Sequence, residues 1–278
     1  MLFPHSRYKL LVTDIDGTLI NNDGSISADN RKALARVSEA DIKICLSTGR
    51  ATEACRKIIG QLGLDGHHIF FDGALVGTLD HASEIYSKPL DRNVLREVIE
   101  FSRANEIDID LYSASHYFIE RETWSSDIHS RFFDIAPTKA DFATLWEYET
   151  IIKIGMVTTN PQEAFRATAI HNKFNSSLNF SYVRTPSYPG IDFVNIVAPG
   201  VSKGKALLKL SAHLGIKPEA VIAIGDGEND IPLLSSAGLG IAMGNAPRAV
   251  KEIANEVTLD VNHNGLAAAI DKFLLQVS

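Results

Sequence analysis

Short aliphatic runs alternate with helix-patterned segments at both ends of this chain, and that alternation restricts its fold more than any other feature. Residues 8–13, 42–46 and 69–71 read as buried strands, too short and too rich in β-branched and aliphatic residues for helices. Between them, a segment capped by Ser27 and running to about Ala40, and a second over residues 51–62, read as helices. The pattern resumes later, with helices over 203–214, 230–236, 247–254 and 264–276 and strands over 220–224 and 239–242. Strand–helix alternation predicts an α/β fold: a Rossmann-like parallel sheet with helices on both faces. Ligands of such sheets bind at the carboxyl ends of the strands, so chemistry is sought there.

The middle of the chain reads differently. Helices over 91–105, 124–133 and 161–174 are mixed with strands over 107–112, 117–120, 151–158, 178–183 and 192–197. Successive strands with no helix between them predict antiparallel pairing and an inserted α+β domain. The expected division is a discontinuous core of residues 1–81 and 199–278 and an insert of residues 82–198.

Three segments at expected strand ends carry chemistry. The first strand ends in Asp14-Ile15-Asp16-Gly17-Thr18-Leu19, which puts two carboxylates at one strand terminus. Alone this is an ordinary turn composition. The second strand ends in Ser47-Thr48-Gly49-Arg50, a hydroxyl, a helix N-terminus and a guanidinium that suit an anion. A later strand ends in Gly225-Asp226-Gly227-Glu228-Asn229-Asp230. A carboxylate directly after an apolar strand needs a partner, and a hard divalent cation held by oxygen ligands supplies one. Lys203 opens a helix between the second and third of these. Carboxylates, a cation site, a hydroxyl and two basic groups together suit phosphoryl transfer, where catalysis is mostly positioning and charge stabilisation.

The rest of the sequence is consistent with such an enzyme. A hydrophobic fraction of 45% over 278 residues can build a sizeable core. The net charge of −7, with no basic stretch, disfavours nucleic acid and leaves a small phosphorylated substrate open. The two cysteines, Cys45 and Cys55, cannot make a disulfide framework and point to a reducing compartment. The first nine residues hold no apolar signal core, and no run approaches the ~18 apolar residues of a membrane span. A cytoplasmic protein without membrane contact, a monomer or small homo-oligomer, is expected.

The set Asp14-Ile15-Asp16-Gly17-Thr18-Leu19, Ser47-Thr48-Gly49-Arg50, Lys203 and Gly225–Asp230 resembles the haloacid dehalogenase (HAD) superfamily in order and spacing. The insert, together with residues 199–204 and 241–246, is similar to the Cof-type branch, subclass IIB, whose core carries an inserted cap domain. The resemblance implies a Mg²⁺-dependent phosphatase. In it Asp14 is the nucleophile and Asp16 the acid and base. Ser47, Thr48, Gly49, Arg50, Lys203 and Asn229 bind phosphate. Asp14, the carbonyl of Asp16 and Asp226 hold the metal, with Asp230 supporting it. A phosphomutase or phosphotransferase of the same superfamily, or a non-catalytic relative, is the alternative. Two positions depart from the branch: Asp72 precedes Gly73-Ala74 where Asn is usual, and Asn195 stands where an acid is common. His116, Arg121, His129, Arg131, Lys153, Arg184 and Tyr188 of the insert could select a leaving group, but for each of them a solvated surface position is the stronger expectation.

Overall fold

The computed structural model describes residues 7–21, 23–184 and 190–274. They form two compact units, Met1–Thr48 with Lys57–Tyr86 and Ser202–Ser278, and Gly49–Arg56 with Ser87–Val201.

The first unit is built on a five-stranded, wholly parallel sheet in the order Glu256–Val257, Leu239–Ala242, Val221–Gly225, Leu10–Thr13, Lys43–Leu46. Leu10–Thr13 is buried throughout, as expected of a central parallel strand covered on both faces. Successive strands are laid down to one side of it and then to the other. In sheets of this kind the carboxyl edge at such a switch point is where ligands bind. Leu10, Val12, Cys45, Leu207, Leu210 and Ala223 pack into the core beneath. Ser27 caps the helix Ala28–Glu39 through its hydroxyl, which accepts from the Asn30 amide at 3.1 Å. The buried Asn30 side chain donates to the Leu19 carbonyl and accepts from the Ala267 amide, tying the first strand's loop to the last helix.

The expected third strand departs from the simple pattern. His68–Phe70 meets the parallel sheet only through a bridge between Ser47 and Ile69. That bridge is parallel, as expected, and the strand also pairs, antiparallel, with Leu75–Gly77 in a three-stranded sheet completed by Glu84–Ser87. The reason is the turn between them: Phe71, Asp72 and Gly73 all have positive φ, and this reverses the chain. The final helix also differs, being a short α-helix, Gly265–Ala269, followed by a π-helical turn, Ile270–Leu274; residue 276 lies outside the described residues.

The second unit holds a six-stranded sheet in the order Asn179–Arg184, Asp192–Val197, Lys153–Thr158, Asp110–Tyr112, Tyr117–Ile119, Thr138–Lys139. All neighbours are antiparallel except the last pair. The register sets Asp110 and Asn195 opposite Gly155, and Tyr112 opposite Lys153. Residues directly opposite share a face, so Asp110, Tyr112, Lys153 and Asn195 lie on one side of this sheet. His129, from the helix Trp124–Phe133, pairs there with the Asp110 carboxylate, which also accepts from the Tyr117 hydroxyl at 3.1 Å.

Candidate active site

The acidic loops of the first unit meet at the carboxyl edge of its parallel sheet. Asp14 follows Thr13 out of the central strand, and Asp226 follows Gly225 out of its neighbour. Oxygens of Asp14, Asp226 and Asp230 lie within 4.8 Å of one another. Lys203, at the start of the helix Lys203–Leu214, joins the group from below. Its ammonium donates to Asp14 Oδ1 and to Asp230 Oδ1, each at 2.6 Å. The second oxygen of Asp230 accepts from the backbone amides of Asp226 (3.0 Å) and Gly227 (2.9 Å), which clamps the loop.

Asp226 is held by two residues to which the sequence alone assigned no role. Thr18 Oγ1 donates to one of its oxygens at 3.0 Å. Asn245 Nδ2 donates to the other at 3.0 Å and also to the Gly17 carbonyl, while Asn245 Oδ1 accepts from the Val261 amide. Thr18 is one turn position past the acidic pair. Asn245 lies just beyond the apolar strand Leu239–Ala242, in the segment 241–246 that carries part of the family resemblance, which gave it no role of its own. Gly17 has φ +84°, and a Cβ there would lie 2.3 Å from Asp226 Oδ2, so only glycine admits this approach.

The electrostatics suit a cation. Burial raises Asp14 well above the usual carboxylate range; Lys203 opposes this, and Asp230, Asp226 and Asp16 add to it. Burial, then Asp230, raises Asp226 to about 7. Crowded, buried carboxylates with a single ammonium among them form a donor set of hard oxygens deficient in positive charge, which fits a divalent metal ion. Asp16 is half-buried and outside the three-carboxylate cluster, although its charge is felt by both Asp14 and Asp226.

The anion-binding segment divides. Ser47 is fully buried beside the first strand, its amide donating to the Thr13 carbonyl at 2.9 Å, and its hydroxyl has no hydrogen-bond partner. Thr48 donates from its amide to Ile69 and accepts from the Asp72 amide. Gly49 and Arg50 belong to the second unit. There the Gly49 carbonyl accepts from Lys153 Nζ at 3.0 Å, and the Arg50 guanidinium lies 5.1 Å from the Phe132 ring centre and 5.6 Å from that of Phe133. Asn229 Nδ2, expected to face phosphate, donates to Asp72 Oδ1 at 2.8 Å.

Two residues of the insert are not solvated as expected. Lys153 is 1% exposed and His129 2% exposed. Lys153 is enclosed by the Tyr112 and Phe133 rings, and His129 is paired with Asp110. Arg121 does lie at the surface, paired with Asp108, and His116 stacks on Phe118. Tyr188 and the Arg184 side chain lie outside the described residues.

The sequence matches the haloacid dehalogenase-like hydrolase family over residues 11–270. It is 28% identical to the chloroplastic endoribonuclease YBEY of Arabidopsis thaliana, covering 96% of this chain but only 47% of that protein, so the chain spans about half its length. It is equally similar, at 28%, to the 5-amino-6-(5-phospho-D-ribitylamino)uracil phosphatase YcsE of Bacillus subtilis, over 96% of both chains. A haloacid dehalogenase-like hydrolase of Bacteroides thetaiotaomicron superposes with a TM-score of 0.82 at 29% identity, covering 95% of this chain and 98% of that one. The fold is shared with the subclass IIB sugar phosphatase BT4131, at 22% identity, a TM-score of 0.81, and 96% and 100% coverage. With its sheet order and acidic loops, the chain belongs to the haloacid dehalogenase-like hydrolases. Within them it is a phosphatase, an enzyme that hydrolyses phosphoric monoesters.

Proposed function

We propose that this protein is a Mg²⁺-dependent phosphomonoesterase that works through an aspartyl phosphate on Asp14. Its substrate class is small phosphorylated metabolites such as sugar or cofactor phosphates; YcsE, named for a phosphorylated ribityl compound, is in keeping with that class. The observation that carries this reading is the Lys203 ammonium bridging Asp14 and Asp230, with Asp226 in the same group.

Asp14 attacks phosphorus in line. An oxygen–phosphorus bond forms to its carboxylate as the bond to the leaving oxygen breaks. Asp16 gives that oxygen a proton, then takes one from a water molecule, whose oxygen attacks the phosphoryl group and frees Asp14. Asp14, Asp226 and the Asp16 carbonyl would hold Mg²⁺, with Asp230 keeping the loop in register. When bound, the ion supplies charge that offsets repulsion between a carboxylate and a phosphate dianion, which costs several kcal/mol, on the order of 4 per charge pair at contact in a site of intermediate polarity. Lys203 holds Asp14 from the opposite side. The unpartnered Ser47 hydroxyl donates to a phosphoryl oxygen beside the Thr48 backbone. Residues 82–198 serve as the cap that selects the leaving group. Both cysteines are buried and neither is in a disulfide, which supports a cytoplasmic setting.

The test is phosphate release from an aryl or sugar phosphate. Release should need Mg²⁺, stop with a chelator, and fall by at least about 10³-fold in Asp14→Asn while the melting transition is retained. Full activity in that variant would refute the assignment of the nucleophile.

A further inference from the structure

A cleft of about 460 Å³ lies wholly within the second unit, and none of its walls comes from the acidic loops of the first. Its size falls within the roughly 300–1,000 Å³ of small-molecule sites. The floor is apolar: Ile99, Ile107 and Phe142 are all buried. The helix Arg92–Ala104 sets Ser102 into this wall, 2% exposed, and its hydroxyl has no hydrogen-bond partner. A buried serine within a helix ordinarily turns its hydroxyl to the carbonyl one turn earlier. Here that bond is not made, and the hydroxyl is unsatisfied at the cleft wall.

The charged side chains of the cleft are matched except for two. Arg103 pairs with Glu120 and Asp141, and Arg121 pairs with Asp108 at 2.7 Å. Asp110 is paired with His129 and accepts from the Tyr117 hydroxyl. Arg166, half-buried on the helix Pro161–Phe174, and Glu106 remain. Neither makes an ion pair or a side-chain hydrogen bond among the described residues. Glu106 feels the charge of Arg121, but that guanidinium is already held by Asp108. Glu163, one turn before Arg166, is occupied by the Thr159 amide and hydroxyl. An unmatched cation and an unmatched anion that share a cleft without touching give it a polarity. The helix agrees with that polarity, because Glu106 stands just past its C-terminus, the end that favours a cation. Glu106 has φ 51°, at a position where glycine is ordinarily favoured.

We propose that this cleft binds a small zwitterion, an α-amino acid with an apolar side chain. Its carboxylate meets Arg166, its ammonium meets Glu106, and its side chain lies on Ile99, Ile107 and Phe142. The Ser102 hydroxyl bonds to one of its polar groups. A plain anion would be repelled by Glu106 and a plain cation by Arg166, so a ligand carrying both charges is selected over either.

The experiment is calorimetry on the full chain with L-leucine, with N-acetyl-L-leucine, which lacks the ammonium, and with L-leucinamide, which lacks the carboxylate. L-Leucine should bind and raise the melting temperature as it is added. Each blocked form should bind about tenfold or more weakly. Glu106→Gln should bind L-leucine and its N-acetyl form alike, and Arg166→Gln should bind L-leucine and its amide alike. Both residues reach solvent, so each variant should keep the unliganded melting transition, which separates lost binding from lost fold. Absence of L-leucine binding, or binding that neither variant alters, overturns the proposal. Wild type that binds N-acetyl-L-leucine as well as L-leucine also overturns it, because an anion alone would then suffice. Phosphate release is not the readout, so failure of the reaction at Asp14 would leave this result untouched.

Discussion

Lys203 is 1% exposed, and burial alone would favour its neutral form. Carboxylate oxygens of Asp14 and Asp230, each 2.6 Å away, reverse that and hold it charged. Removing the cation strands both acids in the interior. Lys203→Met should therefore lower stability by about 3–5 kcal/mol in urea denaturation and kcat by about 10²–10³. His68 makes a different case. Its Nδ1 accepts from the Leu46 amide at 3.1 Å, and burial, then the neighbouring His67, lowers it to about 4. The folded state thus keeps the neutral ring, whereas the unfolded chain takes up a proton near pH 6.5. The stabilisation is complete above about pH 6.5 and is lost as pH falls towards about 4, amounting to about 3 kcal/mol. Denaturation at pH 7 and 4.5 should show wild type losing about 2–3 kcal/mol more than His68→Gln, whose side-chain oxygen can replace the acceptor; an equal loss would contradict it. The acidic positions are legible in the sequence, because a carboxylate directly after an apolar strand demands a partner. Thr18 and Asn245 are not, since one polar residue in a loop has many reasons to be there. Lys153 and His129 mislead, because nothing local marks a charged side chain as buried when its partners, Gly49 and Asp110, come from elsewhere in the chain.

At the scale of elements, the turn Phe71–Gly73 matters most. It sends the chain after the third strand back as a hairpin and holds Asp72 between that strand and its partner. Gly73 has φ +98° and no room for a Cβ beside the Ser202 carbonyl. Gly73→Ala should cost roughly 2–4 kcal/mol and reduce phosphate release with it, measured by melting and turnover on the same preparation. In the second unit, the helix Trp124–Phe133 is pinned by the buried Asp110–His129 pair. Asp110→Ala leaves His129 and the Tyr117 hydroxyl without their acceptor, and a loss of about 3 kcal/mol in stability is expected. Elements with strong local signals were readable: the helices capped by Ser27, Asn160 with Pro161, and Ser202, and the apolar strands of the parallel sheet. The pieces Leu75–Gly77, Glu84–Ser87 and Thr138–Lys139 were not, nor was the helix Phe142–Tyr148. They are too short for periodicity to register, and the strands exist because of the partners they pair with.

At the scale of the molecule, alternation at the two ends of the chain and its absence between them carried the α/β core and the inserted α+β segment, while the hairpin partner of the third strand depended on a turn that no period reveals. The acidic balance of −7 is spread over the chain, yet the site is built to take an anion. In the proposed reaction it does so with Lys203 and carboxylates that could hold a metal ion, drawn onto one sheet edge. The most direct measurement of the central claim is to quench the enzyme in acid during turnover with Mg²⁺ and weigh the peptide that contains Asp14. A mass increase of one phosphoryl group on that peptide, absent in Asp14→Asn, is predicted. Steady hydrolysis with that peptide never phosphorylated, and persisting in Asp14→Asn, would contradict it.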